Sequence, residues 1–401
     1  MRVCVIGAGA SGLICAHHLH NAGVEHTVFE QTAVPSGTWV YEENGDADNA
    51  HSSMYRDLRT NLPVEVMAYP GHPYPPGATL FAHHSTVRAY FDAFYRHNVA
   101  PHRTVRFRTR VVEVRRGVTA PWDVEVDAEG ERRVESFTHI MVCNGKYSVP
   151  RVPNVPGLDT FTGRIEHSHG YRVRDKYAGQ RVVVVGGGFS GIDIALEVST
   201  VTTECVLAHR QPDRLNLPGV AERGAVTRVS GSRVFFGPDE SAVDDVDCLM
   251  FCTGYRISVP FLEQYVAVDD GFRVRGLYRH SIVMSEPTIA FIGLPSRILP
   301  CLVFDYQARY AISVFTGLRR LPDKPAMLAE LAADARRRDE LGLSAPKFAH
   351  DLRGPLLWEY LQRFVDDGFD PPSTLYRRGY EAAHAARKQD LVGYRDVALT
   401  F

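Results

Sequence analysis

An α/β fold of two parallel-sheet units, the second inserted into the first, is what this 401-residue sequence predicts, and three observations carry it. A buried strand runs into a glycine turn and then a helix at Val3–Gly12, VCVIGAGASG, and the same construction returns at Arg181–Ala195, RVVVVGGGFSGIDIA. A second apolar strand follows each turn and ends alike, in Asn-Gly at Ile140–Gly145 and in Thr-Gly at Leu249–Tyr255. After the second of these the chain supplies one more buried strand, Ile289–Pro295, as if returning to the first sheet. Strand, glycine turn and helix N-terminus form a phosphate cradle. The first glycine permits the tight turn, the second lets backbone approach a pyrophosphate, and the third lets helix pack on strand. Both units therefore read as dinucleotide-binding and Rossmann-like, and two dinucleotides in one chain point to electron transfer between them.

Taken in order, the first unit opens with strand Arg2–Ile6, the turn Gly7-x-Gly9-x-x-Gly12, a helix from about Ser11 to Ala22 stopped by Gly23, and strand His26–Glu30. Glu30 falls where a carboxylate accepts hydrogen bonds from a ribose hydroxyl pair, which suits the adenosine of FAD. Residues 35–76 are loop-rich, with Ser36-Gly37-Thr38-Trp39, a polar segment Glu42–Asp48, LRTNLP and AYPGHPYPP, and so long a loop in a compact domain usually builds a site. An amphipathic helix is expected at Ser85–Arg96, then strands at Val105–Val114 and Trp122–Asp127. Pro150, Pro153 and Pro156 mark a linker. In the second unit the strand after the helix ends at His209-Arg210, and Arg210 holds the position that Glu30 holds in the first. A carboxylate there would repel a 2′-phosphate, whereas a guanidinium fork binds one, so the second site should prefer NADPH over NADH. The return crossing is expected near Tyr278–Pro287, followed by helices at Asp305–Leu318 and Pro325–Glu340 and a polar C-terminal helix before Tyr394. The expected division is 1–155 (FAD unit, first part), 156–283 (NADPH unit) and 284–401 (FAD unit, return segment and C-terminal helices).

Composition narrows the function classes. A formal net charge of −2 with 45% apolar and 23% charged residues gives no electrostatic case for nucleic acid or an anionic membrane. The short basic runs Arg106, Arg108, Arg110 and Arg336–Arg338 read as solvated faces. The seven cysteines are scattered, mostly within apolar runs and without a CxxC, which fits free thiols in a reducing, cytoplasmic compartment. No apolar run is long enough for a membrane anchor. His17, His18, His20 and the adjacent His83-His84 lack metal-ligand spacing, and no metal site is expected.

Between the cradles, Phe161-x-Gly163-x-x-x-His167-x-x-x-Tyr171 fits F-x-G-x-x-x-H-x-x-x-Y. With both glycine turns, Ser36–Trp39, LRTNLP, CNG and CTGY, it makes nearly the whole chain resemble the flavin-containing monooxygenases, class B flavoprotein monooxygenases. Tyr171, where related Baeyer–Villiger enzymes carry tryptophan, resembles the N- and S-oxygenating branch. The chain departs from the family at Ser36-Gly37, Cys143-Asn144 and Cys252-Thr253, all small-for-small changes. The resemblance implies that Gly7, Gly9, Ala10, Ser11 and Gly12 line the FAD pyrophosphate, with Glu30 on the ribose and Gly37, Thr38 and Trp39 near the flavin. Thr60 and Asn61 would reach the isoalloxazine and nicotinamide side, with Asn61 as the catalytic residue holding the oxygenated flavin. Gly186, Gly188, Phe189, Ser190, Gly191 and Arg210 would hold NADPH, and His167 would shape the interdomain hinge. The implied reaction is oxygenation of a small-molecule amine or sulfide by dioxygen through a flavin C4a-hydroperoxide. The motifs leave open a flavoprotein NADPH oxidase or redox-dependent binding protein, oxidative decarboxylation of a 2-oxo acid, and the oligomeric state. A disulfide reductase would need a cysteine pair beside the flavin, and none is apparent.

Overall fold

The computed structural model describes residues 1–43, 52–211 and 214–401; most of the expected polar segment Glu42–Asp48 lies outside them. The first sheet runs Leu277–Tyr278, Ile282–Val283, Ile289–Phe291, His139–Val142, Arg2–Ile6, Glu25–Phe29, Val105–Arg106. Its last five strands are parallel and its first two form an antiparallel edge. The second sheet, all parallel, runs Ala221–Arg223, Glu204–Ala208, Arg181–Val185, Cys248–Phe251, Arg164–His167. In both, the strand leading into the glycine turn is central and covered on both faces. This is why it reads as an unbroken apolar run rather than an alternating one: Val3, Cys4, Val5 and Val182–Val184 are wholly buried.

Each sheet is the middle of three layers. On one face of the first lie α1 (Ala10–Asn21) and α2 (His84–Asn98); on its other face, Val111, Val114, Trp122, Val124 and Phe137 of an antiparallel meander pack on Cys4 and Ile6. The second sheet repeats the plan, with α3 (Phe189–Ser199) over Val182 and Val184, and a meander bearing Val229, Val234 and Phe236 under Val183, Leu249 and Phe251. After the return, α4 (Pro300–Phe315), α5 (Lys324–Glu340), α6 (Pro355–Asp366) and α7 (Thr374–Gln389) enlarge the helical layer of the first unit.

Three expectations shift. The single strand expected at Val105–Val114 is two, Val105–Arg106 and Thr109–Arg116, belonging to different sheets, because Arg108 takes a left-handed φ of 52° and turns the chain between them. The first helix after the return starts at Pro300, ahead of Asp305; proline fits the first turn, where its missing N–H is not needed. The crossing back also comes earlier than Tyr278–Pro287. Tyr255–Arg256 pairs antiparallel with Val149–Pro150, and Val259, Phe261, Leu262 and Val274 already pack in the first unit's core. The expected boundary at 283 therefore falls beyond two strands of the first sheet.

Candidate functional site

Both glycine turns are shaped for a ligand's diphosphate. Gly9 and Gly188 are the N-caps of α1 and α3, so no side chain caps either N-terminus, and neither first turn holds an acidic residue. Their leading N–H groups are thus left to an anion. Gly7 has φ +103° and Gly186 φ +120°, and a side chain on either would meet the carbonyl of Cys143 or Cys252. A Cβ on Gly12 or Gly191 would stand 1.8 or 1.7 Å from the carbonyl oxygen of Gly7 or Gly186, so only glycine lets helix lie on strand here.

At the first turn, Glu30 is 3% exposed. Its Oε2 accepts from the Ala8 N–H (2.7 Å), and its Oε1 from the N–H and hydroxyl of Thr32 (2.8 Å each). The carboxylate is thereby fixed at the mouth of the turn. Ser36, buried with φ +86°, donates from its N–H to Ala8 O (3.0 Å) and from its hydroxyl to Asp92 (2.7 Å), so the Gly37–Trp39 turn folds over the glycines. Thr38 is held from behind, its carbonyl accepting from Ser52 Oγ (2.6 Å). Arg172, next to the motif tyrosine and 4% exposed, donates to the carbonyls of Ser52, His169, Tyr171 and Glu42. Sequence reasoning gave Arg172 no part; its adjacency to the motif was the one available signal.

Thr60 is buried within the LRTNLP stretch. Its N–H donates to Ala82 O (2.8 Å), yet its hydroxyl is buried without a hydrogen-bond partner among the described residues. An orphaned polar atom of this kind fits a cofactor edge. Asn61 follows it, half-buried. At the second turn Gly187, Gly188 and Ser190 are exposed. A cavity of about 230 Å³ there is lined by Gly187, Gly188 and Phe189, by His209 and Arg214 of the same unit, and by Arg297 and Arg387 from outside it. The Arg387 guanidinium carbon lies 3.8 Å from the Phe189 ring centroid. Arg210 is exposed and is not among the cavity's lining residues, whereas Arg214 is. His167 Nδ1 accepts from the His169 N–H and its Nε2 faces Gly254 O, both at 3.0 Å, which fixes one neutral tautomer; burial lowers its pKa to about 4. It thus stands where the chain leaves the second unit. The seven cysteines are free and buried. Among the described residues no group of three or more His, Cys, Asp or Glu could hold a metal, and no helix is long and apolar enough to cross a membrane.

Fold and site together define an α/β protein with two dinucleotide grips. The chain matches the model of the flavin-binding monooxygenase-like family over residues 1–215 and 202–350, and it belongs to that family. It is 33% identical to flavin-containing monooxygenase FMO GS-OX5 of Arabidopsis thaliana, across 94% of this chain and 87% of that one. It is 29% identical to senecionine N-oxygenase of Tyria jacobaeae, across 82% and 74%. The solved structure of S-allyl-L-cysteine S-oxygenase from Allium sativum superposes with a TM-score of 0.90 at 30% identity, covering 99% of this chain and 95% of that one. The family makes the chain an NADPH-dependent flavin monooxygenase, with FAD and NADPH as its cofactors.

Proposed function

We propose that the protein oxygenates a soft nitrogen or sulfur atom of a small molecule, using NADPH and dioxygen. The relatives include both an N-oxygenase and an S-oxygenase, and a soft lone pair is what the two substrate types share. When bound, the reduced flavin supplies the oxygen-transfer chemistry, by way of the C4a-hydroperoxide that the family resemblance implies. What remains for the chain is to bind, orient and exclude water. FAD would lie with its diphosphate over Gly7, Gly9, Ala10, Ser11 and Gly12, its ribose on Glu30 and its ring near Gly37, Thr38, Trp39 and the unpaired Thr60 hydroxyl. NADPH would lie over Gly186, Gly188, Phe189, Ser190 and Gly191, with Arg210 and Arg214 as the guanidinium groups for its 2′-phosphate. Asn61 would donate from its amide to the oxygenated flavin, because an amide can hold that group without offering an acidic proton. Its neighbour's buried, unpaired hydroxyl is the single observation that carries this reading. The free thiols fit a reducing, cytoplasmic setting.

Amines, thioethers and 2-oxo acids, each supplied with NADPH and ¹⁸O₂, test the proposal. One labelled oxygen in an N-oxide or S-oxide is expected. Peroxide alone would identify an oxidase, and a decarboxylated acid would identify the third chemistry. Asn61→Ala should keep FAD and its reduction by NADPH yet release peroxide in place of product; normal product per NADPH in that variant would contradict the role.

A further inference from the structure

Near the C-terminus, beyond α7, a short turn at Gly393–Asp396 touches both α3 of the second unit and the Thr60–Asn61 segment of the first. Arg395 forms a two-pronged ion pair with Asp193 of α3, Nη1 to Oδ1 at 3.1 Å and Nη2 to Oδ2 at 2.8 Å. Its Nε donates to Thr60 O at 3.0 Å, the carbonyl directly before Asn61. The side chains of Arg395 and Asp193 are 14% and 18% exposed, so solvent screens the pair weakly. Arg59 holds the turn in place, donating to Arg395 O (2.7 Å) and pairing with Asp396 (2.6 Å). Tyr394, 2% exposed, packs edge-on against Phe81. Asp193 stands in the second turn of the helix whose first turn faces the second cradle, so α3 and the Thr60–Asn61 segment share one guanidinium.

We infer that Arg395 is a positioning residue that sets the register between the NADPH cradle and Asn61, and that its role is to keep turnover coupled to oxygen transfer. The planar fork satisfies three acceptors on two units in one geometry, which a flexible ammonium cannot do. Losing it lets the second unit settle by about an ångström relative to Asn61, and misplacement on that scale costs reacting groups ~100-fold. The inference rests on the oxygenase reading above.

The test compares Arg395→Met, Arg395→Lys and Asp193→Asn in the full-length, FAD-loaded protein. In Arg395→Met, NADPH consumption should continue while product per NADPH falls roughly 100-fold, peroxide accounting for the difference and KM for the organic substrate unchanged. Asp193→Asn, which leaves the Thr60 bond, should show a smaller loss. Arg395→Lys, which keeps the charge but not the fork, should fall between Arg395→Met and wild type. If Arg395→Met loses FAD or fails to fold, Arg395→Lys decides: full coupling in that variant overturns the inference. A readout independent of oxygen transfer is the change in the flavin absorption band at saturating NADP⁺, whose amplitude should shrink in all three variants. A wild type that forms no oxygenated product sinks the oxygenase reading alone; an unchanged NADP⁺-induced band in Arg395→Met sinks the latch.

Discussion

A Cβ on Gly7 would stand 2.6 Å from Cys143 O, and one on Gly186 2.5 Å from Cys252 O; the third glycines, Gly12 and Gly191, match as closely. At the middle glycine the likeness ends. Gly9 is 3.6 Å, measured from such a Cβ, from Gly37 Cα, whereas Gly188 has nothing within 4 Å. Ser11 is 8% exposed, while its counterpart Ser190 is exposed. The outer two glycines of each motif thus answer to the sheet beneath, and the middle one to access from above. The first grip is roofed by the Ser36–Trp39 turn, as suits a resident cofactor, and the second is open, as suits a coenzyme exchanged in every turnover.

The largest effect should come where the two grips agree. Gly12→Ala and Gly191→Ala place a methyl inside a carbonyl, at about 5 kcal/mol or more each, and neither should yield soluble protein carrying FAD. Recovery of yellow protein with an unshifted melting temperature would show that the close packing is dispensable. Next is Glu30→Ala, in which the N–H groups of Ala8 and Thr32 lose their acceptor at about 1–3 kcal/mol each. FAD should wash out on desalting, whereas full retention would mean that the roof alone holds the flavin. Gly188→Ala should be milder and confined to one side: FAD content and melting temperature hold, while KM for NADPH rises roughly tenfold because the methyl occupies the diphosphate's approach. An equal loss of FAD would break the contrast between the grips.

The smallest effect concerns pH and should separate the units. Glu197 lies on α3 at the position that His18 takes on α1. Its Oε2 accepts from the Tyr171 hydroxyl at 2.7 Å, and burial raises its pKa from 4.5 to about 7. Between those values the folded state holds a proton that the unfolded chain releases. The stabilisation is therefore complete below pH 4.5 and declines as pH rises to 7. Melting of the second unit should fall between pH 5 and 8 in the wild type and flatten in Glu197→Gln. Parallel curves for the two proteins would rule the carboxyl out as the cause.

Much of this plan was legible because the informative residues are local. A glycine turn between an apolar strand and a helix reports its own geometry, and a doubled motif implies a doubled sheet. Glu30 could be found by counting from Gly12, since the helix and strand between them have fixed rise. Arg395 could not be found that way: its partners, Thr60 and Asp193, are fixed by how α7 packs, and no periodicity in GYRDVALTF encodes that. Arg108 looked like one more alternating strand residue, and only its left-handed backbone shows that the chain turns there. Arg214, which lines the cavity beside the second turn, lay outside the spacing that pointed to Arg210.

The two crossings between the units lie side by side. Val149–Pro150 pairs with Tyr255–Arg256, and the Arg151 N–H donates to Gly254 O at 3.0 Å. The inserted segment thus begins and ends at one doorway, and everything between can be lifted out as a cassette without rerouting the host. Grafting that cassette from a relative with the opposite coenzyme taste should exchange NADPH for NADH dependence, provided the graft keeps an acidic residue at position 193 for the host's arginine to grasp.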